Sequence, residues 1–576
     1  MRRQRLSWRF VALLGALALV AAACGGDDSG DTTTTTAAAT TTTTAADTPD
    51  ETTTTTTAPP DAGPKTIIIG TTDSIAGLDS ADAYAVHDWE LIRNTGEGLT
   101  RFDTGTTDVI PGIAESWDVS DDGTVYTFNL RSGLMFFDGT PLTAADYVVH
   151  INRMLELDGD GGVGGALGKP YIADVAAPDD TTVVFTLNDA FAYFPQVVTG
   201  APYHPMHPSY PTDALVEFPD APFGGVGPWV VTEYTLGEQT VLEPNPNYYG
   251  DAPGVDRIII TYFESATTLV QELQKEDGGI DIAWRSVQEP GLLDTLANED
   301  GVVSAVVPGG GIRYMILNHN IAPADDVNVR QGVAAAIDRD ELVDGPLGGN
   351  ANPLYSPVPP GFIGSNEAFD TAYEAPNVDL AKELFAKSGY DENNKLQLIL
   401  DYPPNRYGGV VGDAIQTIAT QLEATGVVDV ELRATEWATY LGNVIGGESY
   451  AFSFLGWFFD YPDSSNYVEP FSLNGGLGTN ITDSETGEVL PGLTEKDLID
   501  NILAAATETD TAARAALYGT VQDQWAADVV TIPLWFEPER VFYRDYISGD
   551  GGGANPNSLN IGPTTDLNYD VLQTSN

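Results

Sequence analysis

The chain has 576 residues, and 25 Lys and Arg against 84 Asp and Glu give it a formal net charge of −59 at pH 7. Binding to nucleic acid needs a concentrated cationic surface, so this composition excludes nucleic acid as a partner and argues against an anionic lipid face. The 25 Tyr, 21 Phe and 9 Trp separate the chain from acidic disordered proteins, and its length predicts two or three subdomains.

The amino-terminal residues have the pattern of a secretion signal. Three arginines within the first five residues precede an apolar run from Phe10 to Val20, and Ala21 to Ala23 provide a small-residue cleavage site. The apolar run is too short for a confident bilayer-spanning helix. Cys24 follows directly and is the single cysteine of the chain, which excludes an intramolecular disulfide and a thiolate metal cluster.

The position of Cys24 is similar to a bacterial lipobox, in which the cysteine is diacylated and becomes the first residue of the mature protein. Ala21 stands where that motif usually has Leu. We predict a lipoprotein signal peptide over residues 1–23, with lipidation at Cys24. The alternative is an ordinary signal peptide followed by an incidental cysteine.

A Thr-rich segment separates this signal from the folded part. Residues 24–64 consist almost entirely of Thr, Ala, Asp, Gly and Pro, a composition that cannot bury a core and predicts a flexible tether. The fold is expected to begin near Lys65, because Thr66 to Gly70 is a β-branched run closed by Gly and suits a buried strand.

Strands and helices alternate after this first strand. Strand patterns occupy Thr124 to Leu130, Thr182 to Leu187 and Arg257 to Phe263. Between the first two of these, Thr143 and Asp146 have the spacing of a capping box, which predicts a helix that begins after Thr143.

The carboxyl-terminal half contains a predicted βαβ unit. Leu396 to Asp401 and Val428 to Ala434 are strand patterns on either side of a helical pattern from Ala414 to Ala424, and Gly426 is placed to end that helix. Such a crossover implies parallel strands. A further amphipathic helix is predicted over Asp379 to Ser388.

Signals for catalysis are weak. Of the five His, only His204 and His207 have a spacing that could suit a metal, and they lie in a proline-rich stretch with no acidic ligand at motif spacing, so we interpret them as loop or packing residues. The sequence contains no nucleophile elbow, Walker loop or dinucleotide fingerprint in the required context. We therefore predict no catalytic residue, no metal and no cofactor.

Nine segments, taken in order, resemble one family, the extracellular solute-binding proteins of family 5, the peptide type. They are Glu97–Phe102, Pro111–Trp117, Ser120–Thr124, Leu130–Ala144, Gly225–Trp229, Glu243–Tyr249, Val329–Arg339, Gly456–Asp463 and Ile532–Trp535. The ordered set covers essentially everything from residue 65 onward. The resemblance implies the substrate-binding lipoprotein of an ABC importer, which captures oligopeptides or dipeptides and delivers them to the permease transmembrane subunits.

The same resemblance implies the fold. We expect a bilobal periplasmic-binding-protein-like α/β fold of type II, the large cluster with an extra inserted subdomain and mixed sheets flanked by helices. Lobe I would combine residues 65–105, 226–315 and 535–576, with residues 106–225 as the inserted subdomain, and residues 316–534 would form lobe II. We expect a monomer that closes by a hinge, extracytoplasmic and lipid-anchored to the outer face of the cytoplasmic membrane.

Site residues are carried over from the family's positions. Asp460 falls on the carboxylate that pairs with the α-amino group of the ligand. The resemblance places Trp457 and Trp437 on indoles that flank a ligand side chain. The remaining candidates are Gly456 and Phe458, which would offer backbone groups as in β-augmentation, and three weaker ones, Tyr84, Val86 and Asn318.

One stretch departs from the family pattern. Family members that clamp short peptides by the carboxyl terminus use basic residues, in some cases on the strand that leads into Gly456, whereas Ser449 to Phe454 contain no Arg or Lys. The sequence thus shows no carboxylate clamp, and it favours a ligand with a cationic end and apolar groups. The alternatives are a longer peptide, another solute such as a nickel chelate or an oligosaccharide, and a secreted glycosidase.

Overall fold

Three large β-sheets organise the protein in the computed structural model, which describes residues 64–157, 163–275, 278–285, 287, 290–307, 309–404, 406–407, 410–473, 475–483, 486–491, 493–549, 559, 561 and 566–575. The predicted signal peptide, Cys24 and all but the last residue of the predicted tether lie outside these residues. No helix among the described residues is long and apolar enough to cross a membrane.

The strands in chain order are β1 (Thr66–Thr71), β2 (Thr100–Phe102), β3 (Val109–Pro111), β4 (Ala114–Val119), β5 (Val125–Leu130), β6 (Ile172–Asp179), β7 (Thr182–Leu187), β8 (Trp229–Thr235), β9 (Gln239–Pro244), β10 (Arg257–Tyr262), β11 (Ile282–Trp284), β12 (Val302–Val307), β13 (Ile312–Leu317), β14 (Asn352–Pro353), β15 (Leu396–Tyr402), β16 (Val428–Ala434), β17 (Phe452–Trp457), β18 (Thr531–Phe536), β19 (Glu539–Arg544), β20 (Ile547–Ser548) and β21 (Gln573–Thr574).

The helices are α1 (Val86–Thr95), α2 (Ala144–Glu156), α3 (Val163–Gly168), α4 (Phe194–Val197), α5 (Ala266–Leu273), α6 (Pro290–Ala297), α7 (Val327–Ala336), α8 (Arg339–Asp344), α9 (Ala368–Tyr373), α10 (Val378–Lys387), α11 (Val411–Ala424), α12 (Trp437–Ile445), α13 (Ser465–Val468), α14 (Leu498–Thr507) and α15 (Thr511–Asp528). Short 3-10 helices lie at Ala201–Tyr203, Glu469–Phe471 and Tyr569–Val571.

The first strand lies inside a seven-stranded sheet of order β12-β19-β11-β1-β10-β9-β8. It pairs in parallel with β10 and β11, so it is central, and Ile67 and Ile69 are buried as the β-branched run predicts. The strand predictions at both β1 and β10 are confirmed.

A four-stranded antiparallel sheet of order β4-β5-β7-β6 is formed by residues between β1 and β8. Helix α2 packs on it, and its first turn has the predicted capping box: the Thr143 side chain accepts from the Asp146 backbone, and the Asp146 carboxylate accepts from the Thr143 backbone. We call β4 to β7 with their loops and helices, residues 114–203, the four-stranded unit.

The six-stranded sheet has the order β14-β18-β13-β17-β15-β16. Its strands β15 and β16 are parallel and are joined by α11, so the predicted βαβ unit is confirmed. Gly426 has a φ of 77°, a left-handed conformation that ends the helix. Helix α10 begins one residue before its predicted start.

The chain passes between the seven-stranded and six-stranded sheets twice, from β12 to β13 and from β18 to β19. The two connections touch: the Glu537 backbone N–H donates to the Gly311 carbonyl at 3.2 Å. A Cβ on Gly309 would stand 2.3 Å from the Glu537 carbonyl oxygen, so only glycine fits there. Two predicted domain boundaries, 315/316 and 534/535, fall inside β13 and β18, strands that lie wholly in the six-stranded sheet.

Candidate functional site

The site begins where β17 ends beside these crossings. β17 runs antiparallel to β13, and Trp457 at its end faces Ile312, the first residue of β13 after the glycine connection. The loop after β17 therefore carries Phe458 and Asp460 to the region where the two large sheets meet.

The Asp460 carboxylate accepts one hydrogen bond from a residue on the side of the six-stranded sheet and one from a residue on the side of the seven-stranded sheet. The Asn466 amide donates to one carboxylate oxygen at 3.2 Å, and the Tyr84 hydroxyl donates to the other oxygen at 2.5 Å. Tyr84 stands just before α1, beside the seven-stranded sheet and 376 residues away in sequence. The hydrogen bond between Tyr84 and Asp460 thus spans the space between the two sheets.

The charge of Asp460 has no counterion among the described residues. No Lys, Arg or His of that part of the chain lies within ion-pair distance of its carboxylate. Burial raises the pKa of Asp460, and the hydrogen bonds from Tyr84 and Asn466 oppose that rise. A desolvated carboxylate without a cation is a site that an ammonium group can complete.

Three side chains close to this carboxylate by contact or in sequence are exposed. Tyr84, which contacts Asp460, is 42% exposed, and Phe458, two residues before Asp460, is 47% exposed. Val86, two residues after Tyr84, is 47% exposed. Exposed apolar side chains near an unpaired charge are typical of a ligand-binding surface.

Asn466 fixes two of the predicted residues and was not found from the sequence. Its amide oxygen accepts from the Trp457 indole at 3.1 Å and from the Asp460 backbone at 3.0 Å. Its own side chain is 3% exposed. The Trp457 ring also packs edge-on against Phe471 at 5.0 Å, so this indole is half-buried and anchored.

Two arginines and two further aromatic rings, those of Tyr407 and Trp437, form a wall that continues from Phe458. The Arg313 guanidinium lies 4.9 Å from the Tyr407 ring centroid and 5.1 Å from that of Phe458. The Arg406 guanidinium lies 4.9 Å from the Trp437 centroid. Arg313 is paired with Glu537 at 2.6 Å, whereas exposed Arg406 has no ion-pair partner in the part of the chain that the structure describes.

Basic residues reach this region from elements other than the strand that leads into Gly456. Arg313 comes from β13 and Arg406 from the loop after β15. The guanidinium of Arg406, which lies beside predicted Trp437 and has no ion-pair partner among the described residues, can donate hydrogen bonds to a ligand carboxylate. A sequence signal did exist, because Arg406 and Tyr407 lie in the loop that begins four residues before Tyr407, after the end of β15 at Tyr402.

Gly456 lies in contact with this wall. A Cβ at Gly456 would come within 2.8 Å of the Tyr407 ring and 3.1 Å of the Arg313 side chain. β15 pairs with β17 only at Phe452 and Ser453. Among the described strands, the rest of that edge of β17 has no partner strand. Side chains take part of it, because the Phe454 carbonyl accepts from the Tyr440 hydroxyl and the Gly456 backbone bonds the Tyr407 side chain.

Asn318 is not brought to the site. It follows the far end of β13, and its six-residue separation from Ile312 corresponds to about 20 Å of extended strand. It is 1% exposed, and its amide donates to the Gly447 and Ser449 carbonyls. Its role is to tie the loop before β17 to β13, so the prediction that it reaches the ligand is wrong.

His204 and His207 have separate partners. His204 Nε2 bonds the Thr199 carbonyl, and burial lowers the pKa of this imidazole to about 3. His207 Nδ1 bonds the Ser209 hydroxyl. Within the described ranges, no cluster of three or more His, Cys, Asp or Glu could hold a metal ion.

Comparison with known proteins places this geometry in context. Residues 108–479 match the family described as bacterial extracellular solute-binding proteins, family 5 Middle. The dipeptide-binding protein DppE of Bacillus subtilis is 26% identical over 510 residues, which cover 85% of this chain and 90% of that protein. The periplasmic oligopeptide-binding protein OppA of Escherichia coli is 26% identical over 514 residues, with the same coverage of 85% and 90%.

A solved structure shares the fold. The periplasmic binding protein DppA of Helicobacter pylori, in complex with the peptide STSA, superposes with a TM-score of 0.69 at 21% identity, over 89% of this chain and 98% of that one. This likeness confirms the predicted periplasmic-binding-protein-like α/β fold with mixed sheets flanked by helices.

Proposed function

Because the chain belongs to the bacterial extracellular solute-binding proteins of family 5, we propose that it captures peptides and delivers them to the permease of an ABC importer. The observation that carries the proposal is the Asp460 carboxylate, which has no cation partner among the described residues and accepts a hydrogen bond from partly exposed Tyr84 across the gap between the two large sheets. Relatives named for dipeptide and oligopeptide binding support it. The protein would hold its ligand without changing the ligand's bonds.

The site offers a partner for each group that all peptides share. The α-ammonium pairs with Asp460, a charge-assisted contact worth about 1.5 to 3 kcal/mol when desolvated. The backbone amides of the peptide would lie along the edge of β17 that follows Ser453, in contact with Gly456 and Phe458. The carboxylate of a peptide of suitable length reaches Arg406, and side chains lie against Trp457 and Trp437, whose flat rings accept varied groups.

Closure would follow from the two chain crossings. We propose that lobes I and II, with the two predicted boundaries inside β13 and β18 moved to the sheet crossings, move relative to each other about the connections at Gly309–Gly311 and Glu537. Tyr84 and Val86 then cover the ligand from the other side. The permease would recognise this closed form, with the monomer tethered to the outer face of the membrane by lipidated Cys24.

The test compares one carboxylate with a matched control. Asp460→Asn removes the charge and keeps the shape, and it should weaken binding of a free-amine peptide by about tenfold or more. Asp497→Asn, the same change at an exposed helix cap that makes no side-chain hydrogen bond to its helix, should leave affinity unchanged. Isothermal titration calorimetry measures both.

A peptide with a blocked amino terminus provides the second part of this test. The N-acetylated form of the same peptide lacks the ammonium, so the wild-type protein should bind it as weakly as Asp460→Asn binds the free peptide. Equal affinity of the wild type for both peptides would remove Asp460 from the ammonium site. Absence of any peptide binding, with stabilisation by a different solute, would overturn the peptide proposal itself.

A further inference from the structure

The four-stranded unit is docked on the region that follows Asp460. Tyr193 stacks on Tyr461 with ring centroids 5.4 Å apart and planes 8° from parallel. The Ala192 backbone N–H donates to the Ala506 carbonyl at 2.8 Å, and the Tyr171 and Tyr461 hydroxyls are 3.2 Å apart. We call this contact the docking interface. It joins residues that are separated in sequence by about 300 positions.

Glu469 lies in the docking interface without a cation. One carboxylate oxygen accepts from the Tyr193 hydroxyl at 2.8 Å, so its donor comes from the four-stranded unit. The other oxygen is buried and has no hydrogen-bond partner among the described residues. The nearby Arg514 is already engaged, because its two terminal nitrogens bind both oxygens of Asp463 at 2.6 and 2.7 Å.

Titratable and charged groups face Glu469 from several elements. They come from every element packed against it: Tyr171 and Tyr193 of the four-stranded unit, Asp460, Tyr461 and Asp463 of the loop after β17, and Arg514 and Tyr518 of α15. Burial raises the pKa of Glu469 to about 8, and Asp463 adds to the rise, while the Tyr193 hydrogen bond and Arg514 oppose it. An exposed glutamate titrates near 4.3.

We infer that Glu469 is a proton-operated latch: the docking interface forms with the Glu469 carboxyl protonated and loosens when that proton is lost to water. Undocking would expose the carboxylate, which then ionises as an ordinary glutamate does. At pH values between the pKa of undocked Glu469 and that of docked Glu469, the docked state therefore binds one proton more than the undocked state.

The sign of the pH dependence follows from this difference. Because the docked state has the raised pKa, its extra stability is complete below about pH 4.3 and is lost as pH rises toward about 8. One proton of difference corresponds to about a tenfold loss in the docking equilibrium for each pH unit in that window. A purely structural glutamate, charged in both states, would give no such slope.

The rate of hydrogen exchange at the Ala192 amide reports the docking equilibrium in the ligand-free full-length protein. Its amide is protected by the bond to the Ala506 carbonyl, so its protection factor, corrected for the intrinsic exchange rate, follows docking. In the wild type we expect this factor to fall about tenfold per pH unit from about pH 5 to pH 8. In Glu469→Gln, which is neutral at every pH, it should stay constant.

Two further variants complete the experiment. Glu448→Gln makes the same chemical change at an exposed position outside the docking interface and should keep the wild-type slope. Tyr193→Phe removes the hydroxyl donor but retains the ring on Tyr461, so it should lower protection at every pH. A wild-type protection factor that does not depend on pH, or the same slope in the wild type and Glu469→Gln, would overturn the latch. Neither outcome depends on which ligand the protein binds.

Discussion

Asn466 positions Asp460, the proposed partner of the ligand's ammonium group, through three hydrogen bonds, to the Trp457 indole and to the backbone and carboxylate of Asp460. Asn466→Ala leaves these buried groups without a partner, so we expect the free energy of unfolding to fall by about 1–3 kcal/mol. Peptide affinity should fall as well, because the carboxylate loses its orientation. Denaturant unfolding and calorimetry measure the two effects.

The control for this variant is Asn393→Ala, at an exposed asparagine in the turn before β15, where the expected change is within about 0.5 kcal/mol. If Asn466→Ala were as stable as this control and bound peptide equally well, Asn466 would have no positioning role. Rescue of affinity by Asn466→Gln is not expected, since the longer side chain displaces the amide from both partners.

At the scale of single residues, the candidate site contains one predicted contiguous segment and predicted residues distant from it, such as Tyr84 and Trp437, which the resemblance to the family supplied. Trp457, Phe458 and Asp460 occupy one short segment, and their neighbourhood needs no knowledge of the fold. Arg406 was missed because it reaches the same wall from the loop after a different strand. Asn318 was wrongly included because its distance from the site depends on its position along β13, which only the strand register reveals.

At the scale of elements, the glycine connection between β12 and β13 is the point where a small change should have a large effect. Gly309→Ala places a methyl group 2.3 Å from the Glu537 carbonyl oxygen of the neighbouring connection. Backbone must shift to relieve the contact, so we expect a loss of about 1–3 kcal/mol in unfolding free energy. Thermal and denaturant unfolding measure it.

Gly519→Ala is the matched control for the connection. Gly519 lies within α15, and an added Cβ there has no atom within 4 Å. Because alanine favours helix more than glycine does, this change should stabilise the protein by about 0.5–1 kcal/mol. Destabilisation of similar size in both variants would show that the close approach at Gly309 has no special cost.

Local patterns predicted the elements whose signals are local. The strand at β7, the capped start of α2 and the βαβ unit of β15, α11 and β16 follow from periodicity, capping and β-branching within a few residues. The order of the sheets does not follow from such patterns. β19 inserts between β12 and β11, and this pairing depends on contacts between residues more than two hundred positions apart.

At the scale of the whole molecule, the charge of −59 is the dominant feature. Several of the few cations are used inside the fold, as in the buried pairs Arg153–Asp79 and Arg514–Asp463, each at 2.6 Å. The surface is therefore left with mutually repelling carboxylates. Added salt screens this repulsion.

We consequently expect the midpoint of thermal unfolding to rise between low ionic strength and about 0.5 M salt, where the Debye length falls to a few ångströms. Differential scanning calorimetry in sodium chloride and in potassium chloride should give the same rise if screening is the cause. A rise in one salt alone would point to binding of a specific ion, and a fall would contradict the repulsion argument.

The position of β19 also bears on how the polypeptide is made. This strand comes from residues 539–544, yet it lies between β11 and β12 and is needed to complete the seven-stranded sheet. A nascent chain that does not yet include residues 539–544 cannot finish that sheet, because β12 still lacks its neighbour β19. Late completion would suit the export that we propose for this protein, since translocation requires a chain that has not yet become compact.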